Sequence, residues 1–178
     1  MADIFYKTKF DSPIGELTLC SNGENLVGLW LKGQKYFADS VIGFNIIQND
    51  NLQIFNYSKM WLIDYFNGVK RTPRELALAP IGGEFRQMVW KELCKIPYGS
   101  TTTYGELANR IAKLRGLEKM SAQAVGGAVG HNPISIIIPC HRVVGKNGQL
   151  TGYAGGIDVK SKLLKLEGVN MHGVFLCK

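Results

Sequence analysis

The pattern of apolar and polar positions changes character near residue 80. Residues 16–20 and 26–31 are strand-like runs separated by Ser21-Asn22-Gly23-Glu24-Asn25. Asn-Gly between two such runs predicts a hairpin. Over residues 52–66, Leu52, Phe55, Met60, Leu62 and Phe66 roughly follow helical spacing, with Gly68 placed to close the helix. The first half therefore reads as an α/β domain, a small antiparallel sheet plus a helix. Pro73 and the stretch Ala79-Pro80-Ile81-Gly82-Gly83 interrupt both patterns. They divide the chain into an N-terminal domain over residues 1–80 and a mainly α C-terminal domain over 81–178.

In the second half, Phe85, Val89, Trp90 and Leu93 share one face of a predicted helix that Pro97-Tyr98-Gly99 ends. Thr103 with Glu106 three positions on is a capping box, opening a helix that carries Leu107, Ala108 and Ile111. Gly116 marks a turn, and Ser121 is an N-cap for a second short helix over 122–129, closed by Gly130 and Asn132. Two short helices joined in this way have the outline of a helix-turn-helix. The second is nearly bare of side chains at Ala122, Ala124, Gly126, Gly127 and Ala128. Each internal glycine costs about 1 kcal/mol against alanine in helix propensity. Two readings of that cost stay open: another surface comes very close, or the helix packs tightly inside the protein.

Charge separates the halves further. Residues 1–80 hold eight Lys/Arg against eight Asp/Glu, and 81–178 hold thirteen against six, so the whole net charge of +7 lies in the C-terminal half. That half is the candidate for meeting a polyanion. No apolar stretch approaches the ~20 residues of a membrane span, and the start Met1-Ala2-Asp3-Ile4 lacks the order of a signal peptide. The expected location is the cytoplasm. Cysteines 20, 94, 140 and 177 form no Cys-x-x-Cys pair, and with histidines at 131, 141 and 172 they show no zinc spacing, so no metal is expected. Cys20 and Cys94 read as buried structural thiols and Cys177 carries no signal. No repeat, low-complexity tract or phosphate-cradling glycine loop is present; the glycines at 126 and 127 precede a strand, the wrong order for one.

The candidate chemistry lies at Pro139-Cys140-His141-Arg142-Val143-Val144, after an apolar run at 134–138 that reads as a short buried strand. Successive side chains of a regular strand point to opposite faces, so Cys140 and His141 cooperate only if the backbone turns sharply at the strand end. A free thiol with a pKa of about 8.5 is only a few per cent ionised at neutral pH, and His141 is the nearest group able to take its proton. A packed, inert thiol is the plainer alternative for any single cysteine.

These residues, with Phe85-Arg86-Gln87-Met88-Val89-Trp90, Ile96-Pro97-Tyr98-Gly99, Thr103-Tyr104-Gly105-Glu106-Leu107-Ala108, Ala124-Val125-Gly126-Gly127-Ala128, Asn132-Pro133 and Gly152-Tyr153-Ala154-Gly155-Gly156, resemble the O6-alkylguanine-DNA alkyltransferases, most closely their bacterial single-protein form. The resemblance runs from about residue 85 to 168. It implies a ribonuclease-H-like N-terminal domain and direct-reversal DNA repair, in which one alkyl group passes from guanine O6 to Cys140 and the protein is spent. It further implies that a water links Cys140 to His141, that Glu167 orients His141, and that the Tyr104 hydroxyl reaches ring nitrogen N3 of the base. Ala154, between Tyr153 and Gly155, presents its amide to O6, and the carbonyls of Cys140 and Val143 accept the exocyclic amine. Asn132 is a hinge, Arg142 braces the structure, and Val129 and Ser135 shape the choice of alkyl group.

The resemblance implies double-stranded DNA bearing O6-alkylguanine as partner, met through the minor groove by Ala124, Gly126 and Gly127, with the base rotated out of the stack. Where the family inserts an arginine, this chain has Gln123, which lacks the cation and the planar guanidinium, so either extrusion is weaker or Arg115 or Lys119 shares the task. The segment from Tyr104 to Gln123 is also longer than in relatives. The resemblance implies no cofactor and no obligate protein partner, and one lesion per chain suits a monomer. O4-alkylthymine as a second substrate stays open. Two other functions compete: a cysteine hydrolase or acyltransferase built on Cys140 and His141, which gives the bare helix and basic half no role, and a non-reactive lesion-binding module, which has no use for a thiol at 140.

Overall fold

The computed structural model describes residues 4–176; Cys177 and the first three residues lie outside them. The chain forms two compact units. The first runs to Gly82 and takes in Pro133–Ile137; the second comprises Gly83–Asn132 and the chain from Ile138 onward. Pro133–Ile137 thus belongs to the first unit although it lies far along the chain.

In the first unit β1 (Ile4–Ser12), β2 (Gly15–Ser21), β3 (Leu26–Leu31) and β4 (Asn45–Gln48) form one sheet in the order β3-β2-β1-β4. The expected hairpin is β2–β3: Asn22 Oδ1 accepts from the N–H groups of Glu24 and Asn25, and Gly23 takes φ 106°. The sheet is not purely antiparallel. β4 pairs parallel to β1, with Ile4 opposite Asn45 and Lys7 opposite Gln48, because the chain crosses the sheet after β3 before it re-enters at the far edge. α1 (Gln53–Phe66) buries Ile54, Phe55, Trp61, Leu62 and Tyr65, and the Trp61 indole N–H donates to the Thr72 carbonyl at 3.0 Å. Leu17, Leu19, Leu26 and Leu29 are fully buried with them.

The free edge of β3 is occupied at both ends. Leu26 exchanges backbone bonds with Ala77 and Ala79, and Leu29 with Pro133 and Ser135. This pairing blocks an edge that would otherwise recruit another strand. It also revises the strand expected at 134–138: only Ile134 forms a bridge. Ile136 then takes φ 71° with the Ile137 N–H bonded to the Ser135 carbonyl, a strained γ-turn for a β-branched residue.

In the second unit α2 (Glu84–Leu93), α3 (Tyr104–Leu114) and α4 (Ala122–Gly130) pack on one another, and the Trp90 indole N–H donates to the Ala128 carbonyl at 2.9 Å. Short β5 (Thr102–Thr103) pairs parallel with β6 (Val143–Val144), and β7 (Gln149–Leu150) with β8 (Phe175–Leu176). α5 (Ile157–Leu166) follows β7. The capping box forms as expected: Thr103 Oγ1 accepts from the Glu106 N–H at 3.1 Å and Glu106 Oε2 from the Thr103 N–H at 2.8 Å. α3 ends in a Schellman turn, with the Leu117 N–H on the Ala112 carbonyl, the Gly116 N–H on that of Lys113, and Gly116 at φ 63°. Ser121 caps α4 by accepting from the Ala124 N–H. Among the described residues no helix is long and apolar enough to cross a membrane.

Thr103→Ala removes the cap oxygen of α3 and is expected to lower stability by about 1 kcal/mol, read as a shift in the urea midpoint. An unchanged midpoint would mean that tertiary packing alone holds this helix end.

Candidate active site

Pro139, at φ −82° and ψ 62°, makes the sharp bend that the sequence demanded: the Cys140 N–H bonds back to the Ile138 carbonyl at 2.8 Å. A single 3-10 turn, Cys140–Arg142, follows. Asn132 Nδ2 spans the bend, donating to the Ile138 carbonyl at 2.8 Å and to Cys140 Sγ at 3.1 Å. Cys140 is 5% exposed, and burial raises its thiol pKa against the opposing influence of Asn132 and the Lys160 charge.

His141 is fully buried, with Nε2 2.6 Å from Glu167 Oε1. Arg142 clasps the same carboxylate, Nε to Oε2 at 2.9 Å and Nη2 to Oε1 at 3.1 Å, while its Nη1 donates to the Ile96 carbonyl. The Gly99 N–H adds a further donor to Oε2 at 3.1 Å. Gly99 sits at φ 75°, and a Cβ there would lie 2.8 Å from the Glu167 carbonyl oxygen, so this close approach requires glycine. Burial on its own would raise the Glu167 pKa; His141 and Arg142 outweigh it and hold the carboxyl at about 2. Glu167 also favours a positive His141, but burial outweighs that pull and sets the imidazole pKa below its ordinary value. Glu167 therefore stabilises the positive form while desolvation favours the neutral ring; with Nε2–H facing the carboxylate, Nδ1 is the accepting atom of that neutral ring.

Lys160 is a participant that sequence reasoning missed. It is fully buried on α5, where Nζ donates to the carbonyls of Val143 at 2.5 Å and Thr151 at 2.8 Å. Desolvation lowers its pKa to about 8, against the pull of Cys140. The signal was available: Ile157, Lys160, Leu163 and Leu164 follow the apolar spacing of one helix face, and a lysine in that stripe must be buried or must break it. Tyr104 lies close by, its ring centroid 6.0 Å from Lys160 Nζ and its hydroxyl 3.5 Å from the Gly152 carbonyl. Burial raises the phenol pKa, so it holds its proton at neutral pH.

Cys140, His141, Glu167, Asn132, Tyr104 and Val143 are therefore brought together, Val143 through the carbonyl that Lys160 holds. Tyr153, Ala154 and Gly155 form a half-buried loop that the Gly156 N–H closes onto the Tyr153 carbonyl at 3.0 Å. Ser135 belongs to the first unit, where its hydroxyl donates to Gln34 Oε1 at 3.2 Å. Val129 is buried, and its carbonyl accepts from the Asn132 N–H. Gln123, Ala124 and Gly127 lie on the exposed side of α4, opposite buried Val125 and Ala128. A Cβ at Gly127 would meet nothing within 4 Å, and one at Gly126 only the Tyr104 ring at 3.6 Å. Close internal packing thus does not account for this bare surface. Lys119 is exposed, and the Arg115 guanidinium lies over the Phe85 ring at 5.7 Å. Among the described residues no three His, Cys, Asp or Glu side chains gather where they could hold a metal ion.

Residues 84–169 match the family described as 6-O-methylguanine DNA methyltransferase, DNA binding domain, and residues 5–80 the ribonuclease-like domain of the same protein. A methylated-DNA–protein-cysteine methyltransferase of Methanosarcina barkeri is 45% identical over 170 residues, covering 93% of this chain and 99% of that one. The Haemophilus influenzae protein of the same name is 40% identical over 92% of this chain and 87% of its own. Among solved structures, Mycobacterium tuberculosis OGT in complex with DNA superposes with a TM-score of 0.77 at 40% identity, covering 92% of each chain. With both domains matched in order and relatives aligned over nearly their whole length, this chain belongs to the methylated-DNA–protein-cysteine methyltransferase family.

Proposed function

We propose that this protein repairs DNA by direct reversal, moving the alkyl group of O6-alkylguanine onto Cys140 once per molecule. The observation that carries this reading is a buried thiol held by Asn132 beside a neutral histidine, with a charged carboxylate behind it and a bare, exposed helix in the same unit. The thiol proton passes to the His141 imidazole, whose new charge Glu167 stabilises, and the Lys160 cation lowers the free energy of the thiolate. Sulfur attacks the alkyl carbon in line, the S–C bond forms as the C–O6 bond breaks, and guanine leaves as an anion. Tyr104, still protonated, donates to N3 and neutralises that charge. The carbonyls of Cys140 and Val143 select guanine through its exocyclic amine, and the Ala154 amide meets O6.

In this reading residues 1–80 form a ribonuclease-H-like domain and 81–178 the alkyltransferase domain. α3 and α4 act as a helix-turn-helix that enters the minor groove, and the lesion is rotated out with Gln123 at the vacated place. Arg115 and Lys119 contribute charge toward the phosphates. The product thioether has no route back to thiol in this site, so each chain acts once.

The deciding experiment is intact mass and peptide mapping after mixing with duplex DNA carrying one O6-methylguanine. One methyl on Cys140 per lesion consumed, absent in Cys140→Ser, is expected. DNA binding without any mass change would replace repair by lesion sensing.

Gly127→Ala is expected to keep or raise thermal stability, by up to about 1 kcal/mol, while weakening duplex binding. A loss of stability with unchanged binding would place the close approach inside the protein. The Glu167 carboxyl, depressed from 4.5 to about 2, stabilises the fold fully above pH 4.5, and that contribution is lost as the pH falls toward 2. Acid titration of unfolding should show a loss on the order of 3 kcal/mol across this window that Glu167→Gln lacks; equal slopes for both proteins would refute the assignment.

A further inference from the structure

The sheet of the first unit has a second face that alkyl transfer does not use. Strand alternation puts Leu17, Leu19 and Leu29 on one side and Thr18, Cys20 and Trp30 on the other. Residues 33–44 cross this second side, their path set by left-handed Tyr36 and Ala38, at φ 59° and 58°. The cover is incomplete. Beneath it lies a cavity of about 380 Å³ walled by Cys20, Trp30, Phe37, Ala38, Val41 and Ile46. That is the size of a small-molecule site, and it has the mainly apolar wall and few polar groups typical of one. Trp30 on the sheet and Val41 on the crossing segment are each 2% exposed, whereas Phe37 is 40% exposed.

The border carries the charge. Lys7, Lys9 and Lys32 line it with a single acid, Glu16. Lys9 and Lys32 both reach Glu16 Oε1, at 3.1 and 3.9 Å, so one carboxylate offsets two cations. Lys7 forms no ion pair among the described residues. Thr18 and Gln48 add only neutral polar groups. An uncompensated cation beside a preformed apolar cavity calls for an anion with an apolar body; inorganic phosphate would leave the walls unused, and a neutral hydrocarbon would leave the lysines unused.

We propose that this cavity binds a small amphipathic anion, an aromatic or branched aliphatic body bearing one carboxylate or sulfonate, with the body against Trp30, Val41 and Ile46 and the anionic group at Lys7. The site is independent of the chemistry at Cys140.

The test is fluorescence titration of the full chain with 8-anilinonaphthalene-1-sulfonate, alongside uncharged N-phenyl-1-naphthylamine. One saturable site is expected for the sulfonate, with the neutral probe about tenfold weaker, a difference of about 1.4 kcal/mol. Thr18→Phe fills the cavity and should abolish binding. Lys7→Gln, at an exposed position, should weaken the sulfonate several-fold, leave the neutral probe unchanged, and keep methyl transfer intact. The proposal is overturned if the parent shows no saturable binding, if the two probes bind equally, or if Lys7→Gln binds the sulfonate as the parent does. The Lys7 result decides even if Thr18→Phe fails to fold.

Discussion

One buried carboxylate organises the C-terminal unit. Glu167 caps α5 and gathers the His141 ring, the Arg142 guanidinium and the Gly99 amide. Two distant stretches of chain, at 99 and at 141–142, therefore meet on its two oxygen atoms. Removing any one partner would leave a charge in a dry site short of compensation, which is far more costly than losing an exposed ion pair. Arg142 carries most of this duty: its fork engages both oxygens and its third nitrogen holds the Ile96 carbonyl. The sequence order Cys-His-Arg therefore places the thiol, the imidazole and the guanidinium that anchors Glu167 in one turn.

The same burial that orders the site also works against its chemistry. Desolvation raises the thiol pKa and lowers that of the imidazole, so it opposes the charged pair that thiol chemistry needs. Two nearby features tilt the balance the other way, the Asn132 amide at 3.1 Å from sulfur and the buried Lys160 charge. Both favour the ionised form over the thiol.

Much of this was legible in the residues, where the signal is local. The β2–β3 hairpin follows from Asn-Gly, the start of α3 from Thr103 and Glu106, and the turn at Cys140 from Pro139. The features that were not legible depend on partners distant in sequence. β4 joins parallel to β1 after a crossing that no local propensity encodes, and its four residues carry too short a pattern to read. Residues 134–138 have strand composition, yet they contribute one bridge to β3 and then turn. The bond from the Ser135 hydroxyl to Gln34, a hundred positions upstream, carries no local signal either. Lys160 was passed over because lysines on helices are usually solvated, although its place in an apolar stripe marked it.

The exposed side of α4 has a thermodynamic consequence of its own. Ala122, Ala124 and Gly127 have no rotamers, so pressing this surface against a partner freezes almost no side-chain motion, where each long side chain would lose about 0.5–1.5 kcal/mol. Over residues 122–127 the same poverty leaves Gln123 as the one side chain with hydrogen-bonding groups by which a helix tells one base pair from another. In the proposed repair such a surface binds cheaply and with little preference. It suits a molecule that must try every position along a polymer and stop for a defect in the base, whatever the sequence around it.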